Sequence, residues 1–242
     1  MAKLLKLVSA LILTLIVAAM PEIACAQAET LTVSVWGGGY GEDWKKKVLD
    51  TRQDERWELL GVSDYALEWT GRKGTVIPNG INERFFINHN LERDIDILVE
   101  GNDEPIKNIR YTIAKAKAIS DNVALLTRTD NHQYDVKVFE NPPQEEIPKI
   151  YQRAKKFFKF SHSEGFCLPI VEAFASGCIV HTHHMGGNDF CVDGENCWID
   201  NYDESKNDYI ISNAMNIAKK FRWELCENEL IKYLCQDHIK NT

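Results

Sequence analysis

Two glutamates stand with seven residues between them in Ser161-His162-Ser163-Glu164-Gly165-Phe166-Cys167-Leu168-Pro169-Ile170-Val171-Glu172-Ala173-Phe174-Ala175-Ser176-Gly177. These residue types read as a strand end, a polar loop and a helix beginning near Leu168. Pro169 suits the first helical turn, where no backbone N–H is needed. Gly177 suits a left-handed cap at the far end. The N–H groups of Gly165, Phe166 and Cys167 should then face out of the helix start with the positive end of its dipole behind them. That arrangement binds anions, and a diphosphate fits it. Glu164 stands on the loop beside this start. Glu172 lies about one turn inside, among Ile170, Val171, Ala173 and Phe174, where an isolated carboxylate is expensive. It therefore calls for a partner or a ligand. A structural carboxylate paired with a lysine satisfies the same need. A glycosidase acid/base pair is a further reading, although nothing else in the chain supports hydrolysis.

Other reactive side chains carry less. His181, His183 and His184 invite a metal reading, and His181 and His183 share a face if their strand continues. No carboxylate or cysteine completes a ligand set at the usual spacing, so these histidines are expected to pack or to face solvent. Neither a metal nor another cofactor is expected. The cysteines number seven. No Cys-x-x-Cys pair occurs. Several cysteines fall in segments expected to be buried, as free thiols do, and no pairing follows from the sequence.

The elements that must hold the glutamates alternate between strand and helix. Thr75–Ile77, Asp94–Gly101, Asn122–Thr127, Val136–Phe139, Phe157–Phe160, Cys178–Thr182 and Cys197–Ile199 read as strands. Val62–Trp69, capped by Ser63 or Asp64, Pro105–Ile119, Pro143–Ala154 and Cys167–Ala175 read as helices. Two more helices, broken near Arg222, fill about Ser205 to Lys240. Pro78-Asn79-Gly80 is a turn, since proline fixes one φ and Asn-Gly accepts positive φ. The alternation predicts an α/β fold with a doubly wound parallel sheet. Such a sheet binds ligands beyond the carboxyl ends of its strands.

The chain has 242 residues, 44% hydrophobic and 26% charged, with a formal net charge of −8. The acidic balance argues against nonspecific binding to nucleic acid or anionic lipid, since both need a basic surface. The N-terminus has its own pattern. Lys3 and Lys6 precede an apolar run from Leu7 to Met20, and Ala24-Cys25-Ala26-Gln27-Ala28 follows. This is the order of a cleavable export signal over residues 1–28. The run is short for a membrane span, which needs about 20 apolar residues, so no stable span is expected after cleavage.

Two resemblances emerge from these residues. The pattern Glu-Gly-Phe-x-Leu-Pro-x-x-Glu-Ala-x-Ala-x-Gly at 164–177 resembles the signature of retaining GT-B glycosyltransferases of family four. Val76-Ile77-Pro78-Asn79-Gly80-Ile81, Gly186-Gly187-Asn188-Asp189 and Val192-Asp193-Gly194-Glu195-Asn196-Cys197 are similar to further segments of that family, in order. The resemblance covers about 61–242 and implies a Rossmann-like GT-B C-terminal half that binds a nucleotide-diphosphate sugar. It implies roles residue by residue. Glu164 contacts the donor sugar near its anomeric carbon, and Glu172 holds the ribose hydroxyls. The backbone of Gly165, Phe166 and Cys167 meets sugar and phosphate. Lys107, after the strand that ends in Gly101, neutralises the diphosphate. The acceptor, a glycan, lipid or small molecule, is left open. Separately, Leu31 to about Asp50, with its Gly37-Gly38-Gly39-Tyr40-Gly41 turn, resembles the first strand, loop and helix of periplasmic solute-binding proteins of the polyamine type. It implies the alternative of a solute-binding transporter component.

The chain departs from the transferase pattern in three places. Asn102 follows Gly101 where the family usually has arginine, so one of two phosphate cations is missing. The glutamate that commonly follows the Gly-Gly pair is not evident. Only Val62 to about Thr70 resembles the acceptor-binding domain, which implies a truncated enzyme whose own activity is open. The expected organisation is a signal at 1–28, a solute-binding-like fragment and junction at 29–60, and a donor-binding domain at 61–242. Export would place the chain in the periplasm or outside the cell, away from cytoplasmic nucleotide sugars. A fusion near residues 50–60 resolves that conflict, and the donor domain then belongs in the cytoplasm.

Overall fold

Five parallel strands form the main sheet of the computed structural model, in the order β6-β5-β4-β7-β8. They are β4 Ile95–Glu100, β5 Val123–Thr127, β6 Lys137–Glu140, β7 Ala154–Lys159 and β8 Ile179–Thr182. The described residues are 33–35, 59–71, 73–128, 134–200 and 202–236. The expected signal, the Gly37–Gly41 turn and the helix opening at Asp43 lie outside them.

The central strands are apolar on both faces because helices cover both. Period-two alternation sorts their side chains. Ile97, Val99, Val123, Leu125 and Phe158 pack with Ile109, Ile113 and Ala116 of α2 (Ile109–Lys117). On the other face, Leu98, Ala124, Leu126 and Phe157 pack with α3 (Ile147–Gln152), α4 (Leu168–Ala175) and α5 (Asn207–Ala218). A last helix, α6, runs over Trp223–Gln236. Among the described residues no helix is long and apolar enough to cross a membrane.

A second parallel sheet joins β1 (Val33–Val35), β2 (Leu59–Gly61) and β3 (Thr75–Val76). Helix α1 (Asp64–Thr70) follows β2. Of the two expected candidates, Ser63 caps it, its Oγ accepting from the Ala66 N–H at 3.0 Å.

Several boundaries differ from the sequence reading. The helix expected over Pro105–Ile119 is split into a 3₁₀ turn, Pro105–Lys107, and α2. Asn108 lies between them in the left-handed region with φ 50°, a conformation asparagine tolerates. Its Nδ2 donates to Phe160 O at 3.0 Å, which fixes the break. The helix expected from Pro143 begins only at Ile147, and Ala154 opens β7 instead of closing the helix. The reason is pairing, since Ala154 lies opposite Ile95 in the parallel register. Cys197–Ile199 makes only isolated bridges, with Trp198 opposite His181 beside β8 and Cys197 opposite Asp193.

One long-range contact secures the helix that carries Glu172. The Arg93 guanidinium donates to Ala154 O and, at 2.8 Å, to Ser176 O at the end of α4. A cation at a helix C-terminus suits both the dipole and the unpaired carbonyls.

Candidate functional site

Strand order sets the location. β4 has β5 on one side and β7 on the other, so the winding reverses between β4 and β7. A crevice opens at such a reversal beyond the carboxyl ends of the strands. Glu100 ends β4 and Lys159 ends β7. The loop carrying Glu164 follows β7, and α4 starts at Leu168.

The crevice brings Lys107 and Glu164 together. Lys107 Nζ lies 3.0 Å from Glu164 Oε1 and 2.8 Å from Oε2. Two hydrogen bonds to backbone carbonyls flank the lysine. Asn108 Nδ2 holds Phe160 O, and the His162 N–H donates to Ile106 O at 2.8 Å. Gly101 sits above, where an added Cβ would come within 3.6 Å of Lys107 Cβ and 3.1 Å of Ile109 Cδ1.

The sequence reading missed Lys159, which is 1% exposed. Its Nζ lies 2.7 Å from Glu100 Oε2, 3.2 Å from Glu100 O and 3.4 Å from Glu164 Oε1. Burial alone would push this amine down, but the Glu100 and Glu164 carboxylates outweigh it and hold it charged. Burial likewise pushes Glu164 up, yet Lys159 and Lys107 outweigh that and hold it below the usual carboxylate range. No local signal marked it, since β7 reads Ala-Lys-Lys-Phe-Phe-Lys and nothing in the sequence separates Lys159 from Lys155 and Lys156.

Glu172 behaves in the opposite way. It is half-buried in α4. Burial, with Glu100 nearby, raises its carboxyl to about 7, against the opposing effects of the Tyr151 hydroxyl, Arg128 and Lys159. Tyr151 is fully buried, and burial together with Glu172 raises its phenol well above the ordinary value. Tyr151 is a second residue that sequence reasoning missed, because its contact with Glu172 is tertiary. The crevice therefore offers one carboxylate that stays ionised and one poised near neutrality.

At the helix start, the Gly165 and Phe166 amides have no partner among the described residues. The Cys167 amide does not join them as expected. It donates to Gly187 O at 2.8 Å, and burial pushes its thiol up to about 12. Cys167 therefore ties α4 to the Gly186-Gly187 turn. Both glycines are required there. A Cβ on Gly187 would lie 2.4 Å from Glu164 O, and one on Gly186 would lie 2.6 Å from the Tyr65 ring. Tyr65 and Ser63, at the start of α1, also grip the loop. Ser63 Oγ donates to Gly165 O at 2.5 Å, and Tyr65 Oη lies 2.8 Å from Ser163 Oγ.

His181 and His183 pack against neighbouring rings, and His184 faces solvent. The His181 ring lies 4.7 Å from Phe158 and 5.2 Å from Tyr202, and burial, with Lys156 nearby, lowers its pKa to about 4. His183 Nε2 lies 2.6 Å from Ser161 O. Among the described residues no three His, Cys, Asp or Glu side chains gather closely enough to hold a metal ion. Cys167, Cys178, Cys191, Cys197 and Cys226 are buried free thiols.

A parallel sheet wound in both directions, with charged groups and an open helix start at its switch point, defines a doubly wound α/β class of protein. Residues 83–213 match the family described as Glycosyl transferases group 1, and the chain belongs to that family. Solved structures share the GT-B, Rossmann-like fold. Anabaena HepE, in complex with UDP and glucose, is 17% identical with a TM-score of 0.61, over 74% of this chain and 62% of HepE. Sucrose-phosphate synthase from Thermosynechococcus elongatus is 19% identical with a TM-score of 0.61, over 75% of this chain and 58% of the synthase. A glycosyltransferase from Rickettsia africae is 14% identical with a TM-score of 0.65, over 87% of this chain and 71% of that protein. The chain thus spans about three fifths of HepE and of the synthase. No curated protein matches it.

Proposed function

We propose that this chain binds a nucleotide-diphosphate sugar and transfers the sugar, with retention, to a glycan, lipid or small-molecule acceptor, as a family-four GT-B enzyme does. The observation that carries the reading is the Lys107–Glu164 pair, 2.8 Å apart beside the open start of α4. Breaking a sugar–phosphate bond leaves negative charge on the diphosphate and an oxocarbenium-like sugar. Lys107 and the Gly165 and Phe166 amides stabilise the first where that charge develops. The Glu164 carboxylate supports the second, beside the anomeric carbon. Glu172, one turn further into α4, accepts from the ribose hydroxyls, and Gly101 lets the end of β4 approach the diphosphate. No metal enters this scheme.

Calorimetric titration of the signal-less protein with UDP and GDP tests the reading. Binding should weaken by roughly 10–100-fold in Glu172→Ala and in Lys107→Ala, the worth of one hydrogen bond to a charged group. A folded protein that binds neither nucleotide would refute it.

The assignment of residues 1–28 as a cleaved export signal, 29–60 as a junction and 61–242 as the donor domain belongs to the same proposal. Expression in an exporting host should yield a mature chain beginning near Glu29. A chain retained in the cytoplasm with Met1 intact would refute the signal assignment.

A further inference from the structure

Four charged side chains alternate in sign across the crevice: Lys107, Glu164, Lys159 and Glu100. Lys107 Nζ holds both oxygens of Glu164, and Lys159 Nζ lies 3.4 Å from Glu164 Oε1 and 2.7 Å from Glu100 Oε2. The two lysines differ in access. The Lys107 side chain is 28% exposed and that of Lys159 is 2% exposed. Lys107 can therefore turn toward an arriving anion. Lys159 cannot, because Glu100 O and Glu100 Oε2 hold its ammonium from below.

A diphosphate carries more negative charge than a carboxylate and competes for Lys107. Its arrival also sets an anion beside Glu164, whose side chain is 11% exposed. A carboxylate that loses its cation while gaining an anionic neighbour takes up a proton. We propose that Lys159 is a positioning residue that keeps Glu164 ionised and in place when Lys107 leaves it for the donor diphosphate. The handover rests on the donor-binding reading above, whereas the hold of Lys159 on Glu164 does not. The other groups around the pair are Ser161 and Cys167, with Glu172, Tyr151 and Arg128 beyond Glu100. Arg128 acts on Glu172, and the cations that act on Glu164 are Lys159 and Lys107.

The full chain and its Lys159→Met and Lys159→Arg variants test this with two readouts. The first needs no nucleotide. In protein labelled with carboxyl-¹³C glutamate, the Glu164 resonance is identified by its loss in Glu164→Gln. Its titration midpoint should rise by about one pH unit or more in Lys159→Met and stay near the wild-type value in Lys159→Arg. The second is proton uptake on UDP binding, measured calorimetrically in buffers of different ionisation enthalpy. Near pH 6, Lys159→Met should take up as much as about one proton more than wild type, and the difference should vanish in a Glu164→Gln background. If Lys159→Met does not fold, Lys159→Met with Glu100→Gln removes the stranded carboxylate and carries both readouts. An unchanged midpoint in a folded variant overturns the hold on Glu164. A raised midpoint with unchanged proton uptake overturns the handover. Absence of UDP and GDP binding by the wild-type chain overturns the donor reading and the handover with it, and the midpoint then decides the remainder alone.

Discussion

Gly187→Ala should lower the folding stability by ~3 kcal/mol, the sum of a left-handed backbone penalty and an overpacking term. The residue has φ +57°, and its added Cβ would lie 2.4 Å from Glu164 O and 2.7 Å from the Gly165 carbonyl carbon and oxygen. These are backbone atoms, so no rotamer change relieves the clash. Relief would require parting the 164–165 loop from the 186–187 turn, which strains the bond from the Cys167 N–H to Gly187 O. Gly194 supplies the control. Its φ is +70°, but a Cβ there meets only Trp198 Cζ3 at 3.9 Å. Gly194→Ala should therefore show the backbone penalty alone, ~1–2 kcal/mol. Urea denaturation of both variants separates the terms, and equal losses would show that the close approach carries no weight.

A second large effect concerns pH. Glu172 has its carboxyl raised to about 7 in the folded chain against a reference of 4.5. Between those values the native state binds more protons than the unfolded state, so stability falls as pH rises. The penalty is absent below the lower value and complete above the upper one. Glu172→Gln removes the ionisation. It should match or nearly match wild type at pH 4.5 and exceed it by up to ~3 kcal/mol above pH 7, taking ~1.4 kcal/mol for each pH unit. That figure is a ceiling, because Glu172 keeps part of its surface in water. Denaturation midpoints for the two proteins from pH 4.5 to 8 check it. A stability difference that stays flat across that range would show that Glu172 is ionised without penalty. With the proposed ribose role, the same variant should lose nucleotide affinity, since a neutral amide accepts from hydroxyls more weakly than a carboxylate does.

How much of this could be read from the residues depends on where their partners lie. Strands β4 and β5 were legible because each is a short run rich in apolar residues, the first of them ending at Gly101. The cap of α1 at Ser63 and the left-handed Gly177 were legible because each is a local decision of the backbone. The break at Asn108 was not, since it depends on the distant Phe160 carbonyl. Neither was the start of β7 at Ala154, which its pairing with Ile95 decides. In the crevice, the short segment from Glu164 to Gly177 announced a helix start flanked by carboxylates. The Lys107–Glu164 pair required the sheet to bring together residues 57 positions apart. Lys159 and Tyr151 stayed hidden because one lysine among the three of β7 and a lone tyrosine in a helix have no local signature. The engaged Cys167 amide shows the same limit, since Gly187 O reaches it only through tertiary packing.

The reversal of winding between β4 and β7 has a consequence for assembly. The earlier winding unit supplies Glu100 and Lys107, and the later one supplies Lys159 and Glu164. The two short ion pairs, Lys159 with Glu100 and Lys107 with Glu164, both cross the seam between the units. Neither unit holds its own lysine and glutamate together in such a pair, except through the longer 3.4 Å contact of Lys159 with Glu164. Docking with the seam displaced by one residue would bury charges without partners, an error of several kcal/mol. The charges that fill the crevice therefore also act as a registry lock. The chain can close its central strand pair in one alignment, and that alignment is the one in which the crevice exists.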